Sequence, residues 1–244
     1  MRAPSTTPLP QASDADGSAL ALSGSALDHV RSGCRDTVAR IEGAATVPER
    51  WASHPAYLST LQVASPAKYA RGNGCEWKDA TALYTSGDAL AACVDDLAAQ
   101  VADRDPQCVA GIGAAGFVLG AALAYKLKLG FVAIRKGGSL ACETDAVTYS
   151  YSKARGKQME VRCGAFAATP RVLLVDQWVA SGGSMRAAIE LVHRNGGTVA
   201  AIAAMAIERN AVTSALRADY HCATAVPADS ALQADIDRHV LDCL

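Results

Sequence analysis

Residues 172–185, VLLVDQWVASGGSM, run four apolar positions into one carboxylate, Asp176, and then into Ala180, Ser181, Gly182, Gly183 and Ser184 before helical spacing resumes at Arg186. A lone carboxylate at a strand end can stabilise positive charge that develops on a substrate carbon. Small residues, two hydroxyls and the unpaired amides of a helix's first turn make a cradle for a phosphate, and the glycines let the anion approach the main chain. A plainer reading is a strand-to-helix turn in which Ser181 or Ser184 serves only as helix cap. The stretch is neither a Walker A loop, which needs G-x-x-x-x-G-K-[ST], nor the dinucleotide fingerprint G-x-G-x-x-G.

Such a loop needs a strand and a helix to hold it, and the chain supplies them in alternation. Gly87-Asp88 opens a helix (GDALAACVDDLAAQVADR), CVAGIG reads as a short buried strand, and GFVLGAALAYKLKLG reads as a helix ending at Gly130. Strand FVAIR (131–135), an irregular section to about 157, strand QMEVR (158–162), strand RVLLVD (171–176), helix SMRAAIELVHRNG (184–196) and strand TVAAIAAMAIE (198–208) follow. Apolar runs this continuous belong to a mostly parallel sheet with helices on both faces, so the fold class is α/β. Ligands of such sheets bind beyond the carboxyl ends of the strands. Four loops are thereby nominated: 111–116, 136–140, 176–184 and the turn after Glu208.

Residues 1–24 are rich in Ser, Pro, Ala, Asp and Thr without periodicity, and read as a flexible tail before a single domain at 25–244. Leu27, Val30, Val38 and Ile41 fall at helical spacing, whereas 47–83 is punctuated by Pro and Gly and reads as loops and short pieces. With 244 residues, half of them apolar, the chain can bury a sizeable core. A net charge of −1 argues against duplex DNA or an anionic membrane as partner. The eight cysteines are scattered, with no C-x-x-C pair, which excludes a zinc-finger pattern. No secretory signal and no apolar run of about 18 residues is visible, so the expected compartment is the cytoplasm.

Four motifs together resemble a known family. VLLVDQWVASGGSM is similar to the phosphoribosyl-diphosphate signature of type I phosphoribosyltransferases, and its surroundings resemble the adenine phosphoribosyltransferases. GCEWKDATAL (74–83) resembles their base-binding segment G-V-x-F-[RK]-D-[IV]-[ST]-x-L. GIGAAGFVLGAALA resembles G-x-[DE]-[AS]-R-G-F-x-x-G-x-x-x-A, and FVAIRKGGSL with Glu143-Thr144 resembles F-V-P-[IV]-R-K-x-G-K-L-P. The four occur in order over roughly residues 60–210. The resemblance implies a type I phosphoribosyltransferase fold with a small hood at about 47–85, a core at about 86–240 and a flexible active-site loop at about 142–158. It also implies a homodimer, and transfer of a 5-phosphoribosyl group from its 1-diphosphate to a purine nitrogen with release of pyrophosphate. Mg²⁺ would be held mainly by the substrate rather than by the protein.

By the same resemblance, Ala180, Ser181, Gly182, Gly183 and Ser184 grip the 5-phosphate, and Asp176 and Gln177 lie under the sugar hydroxyls. Lys136 and Arg135 neutralise the diphosphate, and Gly113, Ala114 and Ala115 present amides to it. Trp77 stacks on the purine, a contact worth ~1–3 kcal/mol in other base stacks, while the backbone of Cys75 and Lys78 reads the base edge. Tyr149, Tyr151, Lys153 and Arg155 lie on the flexible loop, where solvation alone also explains the charges. The chain departs from the family at Gln177, where a second acid has become a neutral amide. It departs again at Gly113 and Ala115, which replace an acid and an arginine. These departures motivate two alternatives: the same chemistry on a modified purine or a different sugar-phosphate donor in specialised nucleoside biosynthesis, and a ligand-sensing regulator without turnover.

Overall fold

A computed structural model describes Leu58 and residues 80–151, 154–166 and 168–243. Contacts divide the chain into two units, Met1–Thr46 and Val47–Leu244, and every described residue belongs to the second. The tail, the helix expected between Leu27 and Ile41, and the segment with Cys75, Trp77 and Lys78 lie outside the described residues.

After a 3-10 turn at Ala80–Thr85 the order is α1 (Gly87–Gln100), β1 (Cys108–Ile112), α2 (Ala115–Leu127), β2 (Gly130–Lys136), β3 (Thr144–Tyr151), β4 (Ala154–Arg162) and β5 (Arg171–Val175). Then come β6 (Trp178–Val179), α3 (Gly183–Arg194), β7 (Thr198–Ala204), β8 (Ala206–Ile207), α4 (Ala211–Asp219), β9 (Cys222–Thr224) and α5 (Ala231–Cys243). Seven strands form one sheet in the order β3-β4-β2-β1-β5-β7-β9. The five from β2 to β9 are parallel, and the antiparallel β3–β4 hairpin extends the edge at β2. The expected α/β class with a mostly parallel sheet is what the chain forms.

The run VLLV is apolar throughout because successive side chains enter different cores. Leu173 and Val175 join Val109 in the cluster under α1, α2 and α5. Val172 and Leu174 join Ala110 and Ile112 in the cluster under α3. Each fully buried leucine here contributes about 1.5–3 kcal/mol. Glycine brings α2 close to the sheet: a Cβ on Gly120 would lie 2.9 Å from the Phe131 ring, and one on Gly116 would lie 2.9 Å from the Cα of Asp176.

Several boundaries differ from those expected. α1 stops at Gln100, and residues 102–104 form a separate 3-10 turn before Asp105 turns left-handed at φ 46°. α2 stops at Leu127 because Lys128, not Gly130, takes the left-handed closing position at φ 57°, which frees Gly130 to begin β2. The section expected to be irregular is mainly the β3–β4 hairpin. Val147 pairs with Met159 across it and both are buried, so one face of TDAVTYSY is tied to the core. The strand expected at 198–208 breaks at Met205, whose amide turns to the Gln177 carbonyl while β8 pairs with β6. α4, β9 and α5 had no counterpart in the sequence reading.

Candidate functional site

Strand order reverses between β1 and β5: β2 lies on one side of β1 and β5 on the other. A crevice opens beyond the carboxyl ends at such a point. Here those ends deliver Gly113, Ala114 and Ala115 from β1 and Asp176 from β5. They are neighbours, since the space a Gly116 side chain would need is taken by Asp176.

Asp176 is partly buried, and one carboxylate oxygen accepts the Gln177 amide at 2.7 Å. Burial pushes its carboxyl up from the ordinary 3.8 to about 7, and backbone bonds from Gln177 and Trp178 oppose that rise. A poorly solvated carboxylate of this kind gains most when a positive charge forms beside it. Gln177 is committed elsewhere: its side-chain amide donates to the Tyr84 hydroxyl at 3.0 Å. Burial raises the Tyr84 phenol above its usual value, with the Gln177 bond working against it. The next residue, Trp178, donates to Glu208 at 2.6 Å.

The loop 180–184 wraps the start of α3. Gly182 occupies the cap position at φ 79°, and no side chain caps the helix. The Ser181 hydroxyl only accepts a 3.4 Å bond from the Gly183 amide, so neither serine fills the capping role that the plain turn reading assigns. A Cβ on Gly182 would lie 2.8 Å from Val212, and one on Gly183 would collide with the Ser150 carbonyl of β3. Asn210 steadies the loop, donating to the Ala180 carbonyl at 2.8 Å while capping α4 in a reciprocal box with Thr213. A cleft of about 880 Å³ runs from this loop along α3, with Ser181, Gly183, Tyr149, Ser150 and Arg186 among its walls. Asp176 is not one of its wall residues.

The remaining candidates divide. Ala114 and Ala115 are exposed, and the Gly113–Ala114 peptide is cis. The Gly113 amide is already bonded to the Ile134 carbonyl at 2.8 Å, so it is not open to a diphosphate. Arg135 and Lys136 are both exposed at the end of β2 but leave the strand on opposite faces. The Arg135 guanidinium turns back to the Ser139 carbonyl at 3.2 Å, and Lys136 stands opposite Met159 in the β2–β4 pairing. Of the expected lid residues, Tyr149 lines the cleft beside the loop at 180–184. Tyr151 and Arg155 stand in β3 and β4, and Lys153 lies outside the described residues.

Sequence reasoning missed Tyr84, Asn210 and Glu160. Asn210 carried a readable signal, an Asn three residues before a Thr at a helix start. Tyr84 and Glu160 act across 93 and 20–22 positions of chain, distances at which local patterns are silent.

Comparison with known proteins agrees with this geometry. Residues 81–233 match the family model described as "Phosphoribosyl transferase domain". An adenine phosphoribosyltransferase of Neisseria meningitidis serogroup C is 41% identical over 133 residues, which is 54% of this chain and 70% of the relative. The crystal structure of adenine phosphoribosyltransferase from Thermoanaerobacter pseudethanolicus superposes with a TM-score of 0.57 at 29% identity, covering 62% of this chain and 88% of that one. The Giardia lamblia enzyme complexed with 9-deazaadenine gives the same TM-score at 28% identity, covering 62% and 86%. A match over more than half its length, which spans the strand-end loop at residues 180–184, makes this chain a member of the phosphoribosyl transferase domain family.

Proposed function

We propose that the protein is a purine phosphoribosyltransferase that joins adenine, or a related purine, to a 5-phosphorylated sugar activated as its 1-diphosphate. The observation behind this reading is the uncapped, glycine-walled loop at residues 180–184 beside the partly buried carboxylate of Asp176. The loop amides and the Ser181 and Ser184 hydroxyls hold the terminal phosphate. That anchorage sets the anomeric carbon over Asp176. As the bond from that carbon to the diphosphate oxygen breaks, its electron pair leaves with the diphosphate and positive charge spreads over the ring. Asp176 stabilises that charge, and Lys136 meets the departing anion. A purine nitrogen then donates its lone pair to the carbon, and its proton passes to the released diphosphate or to water. Cys75, Trp77 and Lys78 are assigned to the purine by their motif.

Mg²⁺ fits the site as a passenger on the substrate. Among the described residues no cluster of three His, Cys, Asp or Glu side chains could hold a metal. By the family resemblance, the donor's diphosphate and hydroxyl oxygens would supply most of the ion's ligands. The ion's contribution is neutralisation of diphosphate charge. A homodimer and a cytoplasmic setting complete the proposal; no helix among the described residues is long and apolar enough to cross a membrane.

One observation favours a second reading. Gln177 is neutral and its amide nitrogen is given to Tyr84, so a single acid faces the sugar. A donor with an altered sugar hydroxyl is then the natural partner. Pyrophosphate release measured over a panel of purines with 5-phosphoribosyl diphosphate and Mg²⁺, for wild type and Gln177→Asp, decides between them. Turnover of adenine by the wild type supports the first reading. Turnover that appears only in Gln177→Asp supports the second, and no turnover in either with any base contradicts the first.

A further inference from the structure

Glu160 sits in β4 between Met159 and Val161, both packed into the core, so alternation should send its side chain toward solvent. It is nevertheless only 4% exposed. The turn after β2 wraps over it and brings three amides to the carboxylate, and the first residue of β3 adds a hydroxyl. One oxygen accepts the amides of Ser139 and Leu140, each at 2.7 Å, and the other accepts the Gly138 amide at 2.9 Å and the Thr144 hydroxyl at 3.2 Å. The Gly138 bond is the largest of the influences that hold the carboxyl below its ordinary value.

The chain is shaped for this contact. Gly138 is left-handed at φ 76°, and Gly137 passes so near β4 that a Cβ there would lie 2.7 Å from the Cβ of Gln158. Successive amides turned to one point form an anion site. Here the protein's own carboxylate occupies it, so those amides are closed to a substrate anion and act instead on the direction of the chain.

We propose that Glu160 is a positioning residue for Lys136. By filling the amide nest of residues 138–140 it fixes the turn that leaves β2, and so aims the Lys136 ammonium at the donor's diphosphate. This rests on the role given to Lys136 above. A purely structural carboxylate would, on removal, lower thermal stability without selectively weakening diphosphate binding.

The test compares Glu160→Gln with the milder Thr144→Val, which removes one 3.2 Å bond and keeps the charge. Three quantities are measured on the full chain: hydrogen exchange of the Ser139 and Leu140 amides, calorimetric affinity for Mg²⁺-diphosphate, and KM for the purine. In Glu160→Gln both amides should exchange faster and diphosphate affinity should fall about tenfold, the equivalent of one broken polar contact, with purine KM unchanged. Thr144→Val should shift both in the same direction by less, and adding Lys136→Ala to Glu160→Gln should cause little further loss of affinity. Unchanged amide exchange, or loosened amides with undiminished diphosphate affinity, would overturn the proposal. A wild type that turns over no purine defeats the transferase reading instead, while amide exchange and diphosphate affinity still report on Glu160.

Discussion

Two turns at the carboxyl ends of parallel strands on either side of β1 gather backbone amides, and the protein treats them in opposite ways. The turn after β2 receives Glu160, which takes three amides and a hydroxyl at 2.7–3.2 Å. The turn after β5 receives no side-chain cap at the start of α3. One nest is filled by the protein's own carboxylate; the other, under the function proposed above, is left for an anion from outside. The difference teaches that glycine-rich backbone at a strand end does not by itself make a ligand site. What separates the two is the presence of an internal carboxylate, which only the tertiary structure reveals.

The largest expected effect comes from the acid beside the open nest. Asp176→Asn should lower kcat by about 10²–10³, the scale of losing one preorganised electrostatic partner, while the affinity for the donor changes little. The same change should stabilise the protein at neutral pH. The folded chain keeps the Asp176 proton up to about pH 7, whereas the unfolded chain releases it near 3.8. Wild-type stability should therefore decline between about pH 4 and pH 7, and Asp176→Asn should remove roughly 1–3 kcal/mol of that decline in denaturant titrations.

Next in size is Gly183→Ala, which brings a Cβ onto the Ser150 carbonyl and narrows the open nest. Donor KM should rise about tenfold or more, with a stability loss of about 1–3 kcal/mol from overpacking. Steady-state kinetics with donor varied reads the first and thermal melting the second. Unaltered donor KM would show that the glycine serves hairpin packing alone. Asn210→Ala, which releases the Ala180 carbonyl and uncaps α4, should cost about 1 kcal/mol of stability and raise donor KM modestly. Smallest of all, Tyr84→Phe deletes the partner of Gln177 and should cost about 0.5–1.5 kcal/mol. Donor KM unaffected by Tyr84→Phe would show that Gln177 does not position the sugar through this bond.

The strand, loop and helix at residues 171–194 were legible in the sequence because all their parts are contiguous: a buried strand, an acid, small residues and a helix with period 3.6. The parallel sheet was legible for the same reason, since VLLV and AIAAMAI are apolar on consecutive residues. The filled nest was not, because Glu160 and Gly138 are 22 positions apart and alternation in QMEVR sends a Glu outward. The hairpin was missed since TDAVTYSY has a single aliphatic anchor, Val147, whose value depends on Met159 opposite. Gln177 could be recognised as a departure from the family, yet its bond to Tyr84 depends on how the 3-10 turn at Ala80–Thr85 meets the end of β5. Fold follows from local pattern; the assignment of polar partners across strands does not.

The central claim, that an ionised Asp176 beside the open nest stabilises charge on the sugar carbon, is tested most directly by the pH dependence of kcat/KM for the donor. Wild-type kcat/KM should fall as pH drops through about 7, where burial has placed the carboxyl, and the residual activity of Asp176→Asn should lack that limb. An acid limb near pH 7 that persists unchanged in Asp176→Asn would contradict the account.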